Sequence, residues 1–277
     1  AHMESESEVF RVEPLKRGVI FQKGFKQPEI FTNLVESFTG VRIKIDEVEN
    51  EKAFVNPVGK VDIRFDLFAE DKKNRIIVEA QHGTNKSLDF YFDRFFYYHA
   101  AAMLEMIRSS SNYRFPKLVL TLVFFTKIGP PKMDHNVFIQ DLEIRTARTG
   151  EIVNFPQRLK HKVFFIFTSD PRNDLDMPVA QSEWVEAIND TINGTIFVNS
   201  DYLANPYIQK MLDSIRVEKT TTKERAKMQA EATQEALDDA KQEGRKEGRK
   251  EEREETIQKL RAEFSDEKNC KAFNDTT

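Results

Sequence analysis

The chain has 277 residues, of which 39% are hydrophobic and 32% charged, with a formal net charge of −4. This hydrophobic content excludes global disorder, and the acidic total excludes an overall basic nucleic-acid-binding protein while allowing a local basic groove. One cysteine, Cys270, excludes an intrachain disulfide and a cysteine-based zinc site and fits a reducing, cytoplasmic setting. The sequence contains no apolar run of about 18 residues, so no membrane-spanning helix is predicted.

The first predicted elements are a helix and a strand. Ala1-His2-Met3 reads like a cloning remnant, and residues 1–17 are expected to be an N-terminal extension. Apolar residues recur at helical spacing over residues 28–39, with a proline in the first turn and Gly40 as the C-cap, which predicts a helix. The following segment, VRIKIDEV, alternates between apolar and polar residues and predicts a strand.

The next two predicted strands are joined by the polar break EDKKNR. In the first strand, alternation over Lys60–Glu70 separates two faces. One predicted face carries Val61, Ile63, Phe65, Leu67 and Ala69, and the other carries Asp62, Arg64, Asp66 and Phe68. In the second strand, RIIVEAQ, the residues Ile77, Glu79 and Gln81 share a face.

The sequence after the hairpin predicts alternating helices and strands. A buried helix is expected over about residues 87–108, and the apolar runs 117–125 and 162–168 are typical of fully buried strands. The stretch HNVFIQDLEIRTARTGEIV, residues 135–153, is expected to form two short strands around Thr149-Gly150. Residues 180–193 and 204–216 are predicted to be helical. The predicted domain therefore covers residues 18–216.

The composition changes at about Val217. Residues 217–277 have few large apolar residues, dense charge of both signs and a tandem EGRK at 243–250. Apolar positions are too sparse for a strong coiled-coil seam, so we expect a solvated helical tail that is disordered in part.

Counting residues predicts the register of the hairpin. If Asp66 lies opposite Glu79, then Glu70 lies opposite Arg75 and Asp71–Asn74 form the turn. Opposed side chains project from one face with Cβ atoms roughly 5 Å apart, so the two carboxylates converge. They repel each other unless a proton or a cation lies between them. Such a pair is suited to Mg²⁺ and phosphodiester hydrolysis, although spacing alone also allows a solvated polar face.

The order of these elements resembles the PD-(D/E)xK nuclease superfamily and, more narrowly, its recombination-promoting nuclease/putative transposase family. The likeness spans roughly residues 18–255 and is carried by FQKGFKQPEIFTNLVESF, RFDLFAEDKKNRIIVEAQ, DRFFYYHAAAM and the EGRK repeat. The resemblance implies an α/β, restriction-endonuclease-like core with a central mixed sheet flanked by helices, followed by a charged helical tail. It also implies Mg²⁺- or Mn²⁺-dependent endonucleolytic cleavage of DNA.

The resemblance assigns roles to the hairpin residues by position. Asp66, Glu79 and the backbone carbonyl of Ala80 would ligate the metal. Gln81 stands where the wider superfamily has a lysine, although the narrower family commonly has glutamine there. Glutamine can hold a water or a phosphate oxygen but supplies no positive charge.

Three helical residues complete the predicted site. Glu36, on the first predicted helix, is a candidate additional acid for the metal or its water, with Glu29 as its competitor. Arg94 and Tyr98 are four residues apart and share a helix face, where they would reach a phosphate or brace the acidic residues.

Other polar residues near the motif are predicted to be structural. A lone histidine is more often structural than catalytic, which applies to His82, and His99 is expected to be a core residue. Asp62 lies four residues before Asp66, about 13 Å along a strand, which is too far to share one metal.

Two other functions stay open at this level. The chain is a non-catalytic nucleic-acid- or protein-binding module if the missing lysine has abolished turnover. Alternatively, the acidic pair is purely structural and the tail is an arm that builds a homo-oligomer. DNA is the partner that the family resemblance implies, and no membrane partner is predicted.

Overall fold

The computed structural model describes residues 11–54, 63–107, 112–194 and 200–274, with side chains as far as residue 260. It is an α/β structure with a six-stranded mixed sheet, helices packed on both faces of that sheet and a long C-terminal helix. The α/β class, the mixed sheet and the flanking helices are therefore confirmed. The chain divides into two units, of which the first ends at Met228.

The helices and strands alternate along the chain. The strands are β1 (Glu49–Lys52), β2 (Phe65–Glu70), β3 (Asn74–Gln81), β4 (Leu118–Phe125), β5 (Val137–Asp141) and β6 (Lys162–Phe167). The α-helices are α1 (Gly18–Phe25), α2 (Pro28–Thr39), α3 (Leu88–Leu104), α4 (Val179–Thr191), α5 (Pro206–Ser214) and α6 (Thr222–Asn274). Two short 3₁₀ helices cover Asp201–Ala204 and Val217–Lys219.

The strand order is β1-β2-β3-β4-β6-β5. The central strands β3, β4 and β6 run parallel, whereas β1, β2 and β5 are antiparallel to their neighbours. Helices cover both faces of the parallel centre, so its strands bury side chains on both sides. This explains why β4 reads as the uninterrupted apolar run LVLTLVFF.

Two apolar clusters hold the layers together. On one face, which we call the four-helix side, α1, α2, α4 and α5 pack against alternate residues of β3 and β4. On the other face, which we call the α3 side, α3 packs over an aromatic cluster. Tyr91 and Phe95 of α3 lie edge-on to Phe125 of β4, with ring centroids 6.1 Å apart in each pair.

Most of the predicted elements are confirmed, with two corrections before the hairpin. VRIKIDEV is not a strand, and the strand that pairs with β2 begins only at Glu49. The backbone of VRIKIDEV is irregular, and its residues Ile43 and Val48 bury their side chains in the four-helix cluster. Helix α1 was not among the expected elements, since its eight residues are too few for a clear period. Lys60, Val61 and Asp62 lie outside the described residues.

The region after β4 also differs from the prediction. Of the two strands expected in residues 135–153, the first is confirmed as β5, but no second strand forms after Thr149-Gly150, where only the isolated bridge between Arg145 and Ile152 is present. The regular strand in this region is β5, which pairs with β6 instead.

The alternation of β2 is broken. The pattern predicts Phe65 on the face of Leu67, and this is wrong: the Phe65 and Phe68 rings stack with centroids 6.1 Å apart on the α3 side, whereas Leu67 faces the four helices. The break falls at Asp66, which lies opposite Glu51 in the register of β1. Glu51 has a φ of 54°, which is unusual for a residue with a side chain, so both strands are distorted at this point.

The helical character of the tail is confirmed by α6. The predicted boundary at residue 216 falls short of the end of the first unit, and specific contacts explain the difference. Met228 packs against the four-helix cluster. Lys23 and Glu224, both partly buried, form an ion pair of 2.8 Å.

A buried arginine joins the hairpin to α3. The Arg75 side chain is 9% exposed and contacts Glu70 and Glu105 at 3.1 and 2.7 Å. It also donates to the Ala102 carbonyl at 2.9 Å, and its guanidinium lies 5.4 Å from the centre of the Phe68 ring. The buried positive charge of Arg75 is therefore compensated by two carboxylates, a carbonyl and an aromatic ring.

We expect Arg75→Ala to lower the free energy of unfolding by about 3 kcal/mol, because it removes a buried charge network and leaves the Ala102 carbonyl without this donor. Urea denaturation measures the change. Lys117→Ala is the matched control, because Lys117 pairs with the same Glu70 at 3.1 Å from a more exposed position, and its expected cost is about 1 kcal/mol or less. Equal costs for the two substitutions would contradict a role for the buried position.

Candidate active site

The predicted hairpin register is confirmed. Glu70 pairs with Arg75 and Leu67 with Val78, as predicted, and the regular pairing ends there, one residue before Asp66 and Glu79. The turn is held by the Asp71 carboxylate, which accepts hydrogen bonds from the N–H groups of Lys73 and Asn74 at 2.8 and 2.7 Å. Such a carboxylate-capped turn explains how a polar break positions two strands.

At the end of the paired region, the two carboxylates bond to the opposite strand. The Asp66 N–H donates to Glu79 Oε1 at 3.0 Å, and the Ala80 N–H donates to Asp66 Oδ2 at 3.0 Å. Each acid therefore accepts from a backbone donor of the other strand. The two side chains are brought together by this exchange, as the register predicts.

The Glu79 carboxyl is difficult to ionise. It is 3% exposed, and burial followed by the negative charge of Asp66 raises its pKa well above the ordinary value of 4.5. The Asp66 N–H and the Arg94 guanidinium act in the opposite direction without cancelling the effect. Without a cation, this site therefore favours a proton on Glu79.

Gln81 and α3 meet beside the carboxylates. Arg94 donates from Nη1 to Gln81 Oε1 at 3.1 Å and from Nη2 to the Tyr98 hydroxyl at 3.3 Å. The guanidinium also lies over the Phe95 and Tyr98 rings, 5.1 and 5.2 Å from their centres. The predicted pair Arg94 and Tyr98 thus shares one face of α3, and Arg94 brings a positive charge to the glutamine position.

Gly83, which the sequence reasoning missed, holds Gln81 from the other side, and Tyr91 in turn contacts Gly83. The Gln81 Nε2 donates to the Gly83 carbonyl at 3.0 Å, and the Tyr91 hydroxyl donates to the same carbonyl at 3.1 Å. A Cβ at Gly83 would lie 3.3 Å from Gln81 Nε2, so a larger residue would press on the glutamine. A glycine two residues after the Glu-x-Gln motif is the only sequence signal for this contact.

The two histidines near the motif have structural partners. His82 Nδ1 lies 2.9 Å from the Thr126 hydroxyl. His99 is buried, which confirms the prediction, and its Nδ1 lies 2.9 Å from the Thr121 hydroxyl. Burial and the nearby His161 lower the pKa of His99 to about 4, so its ring is neutral at physiological pH.

Glu36 and Glu29 lie apart from the carboxylate pair. Glu36 forms a 3.4 Å ion pair with Arg42, and Glu29 forms one of 2.7 Å with Lys210. Both acids line a separate groove beside α2, which belongs to the four-helix side, whereas Arg94 approaches Glu79 from the α3 side. None of the contacts described for Glu36 joins it to the predicted metal ligands.

The candidate metal ligands at the site are all oxygen atoms. The N–H of Ala80 points toward β2, and the neighbouring Gln81 carbonyl accepts from Thr126 on the β4 side at 3.1 Å. Because successive carbonyls along a strand alternate in direction, the Ala80 carbonyl points toward β2. No cluster of three acidic, histidine or cysteine side chains suited to a metal occurs among the described residues. Two carboxylates and a carbonyl fit Mg²⁺ or Mn²⁺ and do not fit a structural zinc site.

The comparisons with known proteins add no assignment. No family model, no curated protein and no solved structure matches this chain. Among the described helices, none combines the length and apolar character that crossing a bilayer requires.

We expect Glu79→Gln to stabilise the metal-free protein at neutral pH. Because the folded-state pKa of Glu79 is raised, ionising this group costs stability as the pH rises above its unfolded value near 4.5. The amide still accepts from the Asp66 N–H but carries no charge. In urea denaturation with EDTA, the gain is expected to be about 1–2 kcal/mol near pH 8 and close to zero near pH 4.

Glu70→Gln on the same hairpin is the control of opposite sign. Burial raises the pKa of Glu70, but hydrogen bonds and charges from Lys117 and Arg75 outweigh burial and lower it below 4.5. The ionised group thus contributes stability above that value, which is lost as the pH falls, and Glu70→Gln should destabilise the protein near pH 8. A Glu79→Gln effect that is the same at both pH values would contradict the assignment.

Proposed function

We propose that this protein is a metal-dependent endonuclease that hydrolyses DNA phosphodiester bonds on a restriction-endonuclease-like core. The observation that supports it best is a pair of hydrogen bonds, from the Asp66 N–H to Glu79 and from the Ala80 N–H to Asp66, which holds the two carboxylates together. The element order around this hairpin, with α3 and β4 following it, is the order on which the family resemblance rests.

The acidic residues would hold a divalent cation. A bound Mg²⁺ or Mn²⁺ would polarise the scissile phosphate and lower the pKa of an attacking water. Glu79 must lose its proton to act as a ligand, so cation binding competes with protonation and strengthens as the pH rises. Asp66, which is more exposed than Glu79, orients its second oxygen through the Ala80 N–H.

Arg94 would supply the charge that Gln81 lacks. Its guanidinium donates to both Gln81 and Tyr98 and retains further N–H groups for a phosphate oxygen. Gln81 is fixed between Arg94 and the Gly83 carbonyl and therefore acts as a positioning group for the guanidinium. The positive charge comes from α3 instead of from the motif strand.

A second candidate is a nucleic-acid-binding module without turnover. Both ends of the Gln81 amide have protein partners, Arg94 at Oε1 and the Gly83 carbonyl at Nε2, which favours this alternative because an engaged amide has less capacity to orient a water. The two functions differ in whether divalent metal produces cleavage.

We expect purified protein to nick supercoiled plasmid DNA with Mg²⁺ or Mn²⁺ and not with EDTA. Asp66→Ala and Glu79→Ala should each lower the rate more than about 100-fold, because each removes a metal ligand. Glu36→Ala is expected to cleave like the wild type, since Glu36 pairs with Arg42 away from the carboxylates. Cleavage that survives both ligand substitutions would contradict the site, and binding without any cleavage would favour the second candidate.

We expect Arg94→Ala to lower the cleavage rate about 100-fold, because it removes the positive charge beside Gln81. Arg94→Lys retains a charge but loses the planar fork, so an intermediate rate is expected. Single-turnover rates at saturating Mg²⁺ separate this effect from metal affinity. If Arg94→Ala cleaves at the wild-type rate, Arg94 has only a structural role.

A further inference from the structure

A second site lies at the opposite end of the sheet from the carboxylates. It is a cavity of about 850 Å³ between the segment that precedes β4, the end of β5 and the segment that precedes β6. The carboxylates lie at the carboxyl end of β3, so the eight residues of β4 separate the two sites by roughly 23 Å. Cavities of this volume commonly hold small molecules or parts of larger ligands.

Exposed aromatic rings form part of the wall. Tyr113 is 73% exposed and Phe155 48% exposed, although both are large apolar side chains. Phe115 is held in place, because its ring lies edge-on to His161 with centroids 4.9 Å apart. Two exposed aromatic side chains and one anchored ring therefore line the same cavity, and aromatic rings of this kind can stack on planar groups.

One of the lining residues, His161, is held in a fixed orientation. The Val119 N–H donates to His161 Nδ1 at 3.0 Å, so in the neutral ring the proton is on Nε2. Burial and Arg158 lower the pKa of His161 to about 4, which keeps the ring neutral. Nε2 is buried and has no hydrogen-bond partner among the described residues, which is unusual for ordinary core packing.

Charges of both signs line the cavity. Arg114, Arg158 and Lys160 contribute cations. Arg158 uses one N–H on the Leu142 carbonyl at 2.8 Å, and the contact of Lys160 with Glu143 is long, at 3.9 Å. No described acidic side chain forms an ion pair with the exposed Arg114.

Two acidic residues, Asp141 and Glu143, lie on the β5 side of the same cavity. A simple anion such as phosphate would meet their repulsion. A nucleotide suits both groups of charges, because its phosphate pairs with cations while the amino groups of its base donate to carboxylates. The aromatic rings account for the third part of a nucleotide, the flat face of its base.

We propose that this cavity binds unpaired bases of a single-stranded nucleic-acid segment, and we call it the base-binding groove. Stacking on Tyr113 and Phe155 requires open base faces, which duplex DNA does not present. At the rise of a stacked strand, about 3.4 Å per nucleotide, roughly seven nucleotides span the distance to the carboxylates. The inference rests on the proposed nuclease function for its substrate class, and it predicts a preference for unpaired strands.

The test measures binding separately from cleavage. The full-length Glu79→Gln protein in EDTA is titrated into fluorescein-labelled DNA of about 20 nucleotides, as a single strand and as a duplex, and anisotropy is recorded. We expect the single strand to bind more tightly. Tyr113→Ala and Phe155→Ala should each weaken single-strand binding about tenfold, with little effect on the duplex.

Arg114→Ala should weaken single-strand binding and lower the slope of log affinity against log salt concentration by about one, because one phosphate contact is lost. Matched controls are Arg148→Ala and Leu175→Ala, which remove an exposed cation and a 90% exposed apolar side chain that do not line the cavity. These controls should bind like the parent protein. All substituted side chains are at least partly exposed, so thermal unfolding should show unchanged folds.

The possible outcomes separate this inference from the proposed function. Single-strand affinity that is unchanged in Tyr113→Ala and Phe155→Ala would overturn the groove, even if the wild type cleaves DNA. Groove variants that lose affinity while the wild type never cleaves would support the groove and overturn the nuclease. If the substitutions instead convert a dimer to a monomer in sedimentation without changing DNA affinity, the cavity is an interface between copies, and the inference fails.

Discussion

The Glu79 carboxylate is buried in the central strand of the sheet, and the arrangement of the site depends on how that charge is accommodated. Its neighbours are the Asp66 N–H, the Asp66 carboxylate and the Arg94 guanidinium. A buried acid next to a second acid is unfavourable unless a proton or a cation is shared. The hairpin, β1 and α3 meet at this position. The buried pair of acids there lowers the stability of the fold, which is typical of functional sites.

The other end of the hairpin buries a positive charge instead of a negative one. Arg75 is buried too, but two carboxylates, a carbonyl and aromatic rings compensate its charge. The two ends of β3 thus differ in kind: one is a satisfied structural network, and the other is an electrostatically incomplete pair. This contrast on one strand distinguishes a candidate metal site from ordinary buried polarity better than either end does alone.

Much of the fold could be predicted because the strongest signals are local. The apolar runs of β4 and β6 reflect burial on both faces, and the turn chemistry at Asp71 made the register of the hairpin a matter of counting. The predictions that failed depended on distant partners. VRIKIDEV alternates like a strand, yet the strand begins at Glu49, where β2 offers a partner. The face of Phe65 changed because Asp66 interrupts the regular alternation, and composition carries no record of such a distortion.

The sequence by itself determined the α/β class, the hairpin, its register and the closeness of Asp66 to Glu79, since these follow from residue spacing and turn preference. Only the tertiary structure decided which charges surround that pair. It brought Arg94 to Gln81, placed Glu36 beside Arg42 on the other side of the sheet, and gathered three separate segments around a cavity far from the carboxylates. The reason is physical: register is a property of adjacent residues, whereas the field at a buried carboxylate depends on side chains from every element packed around it.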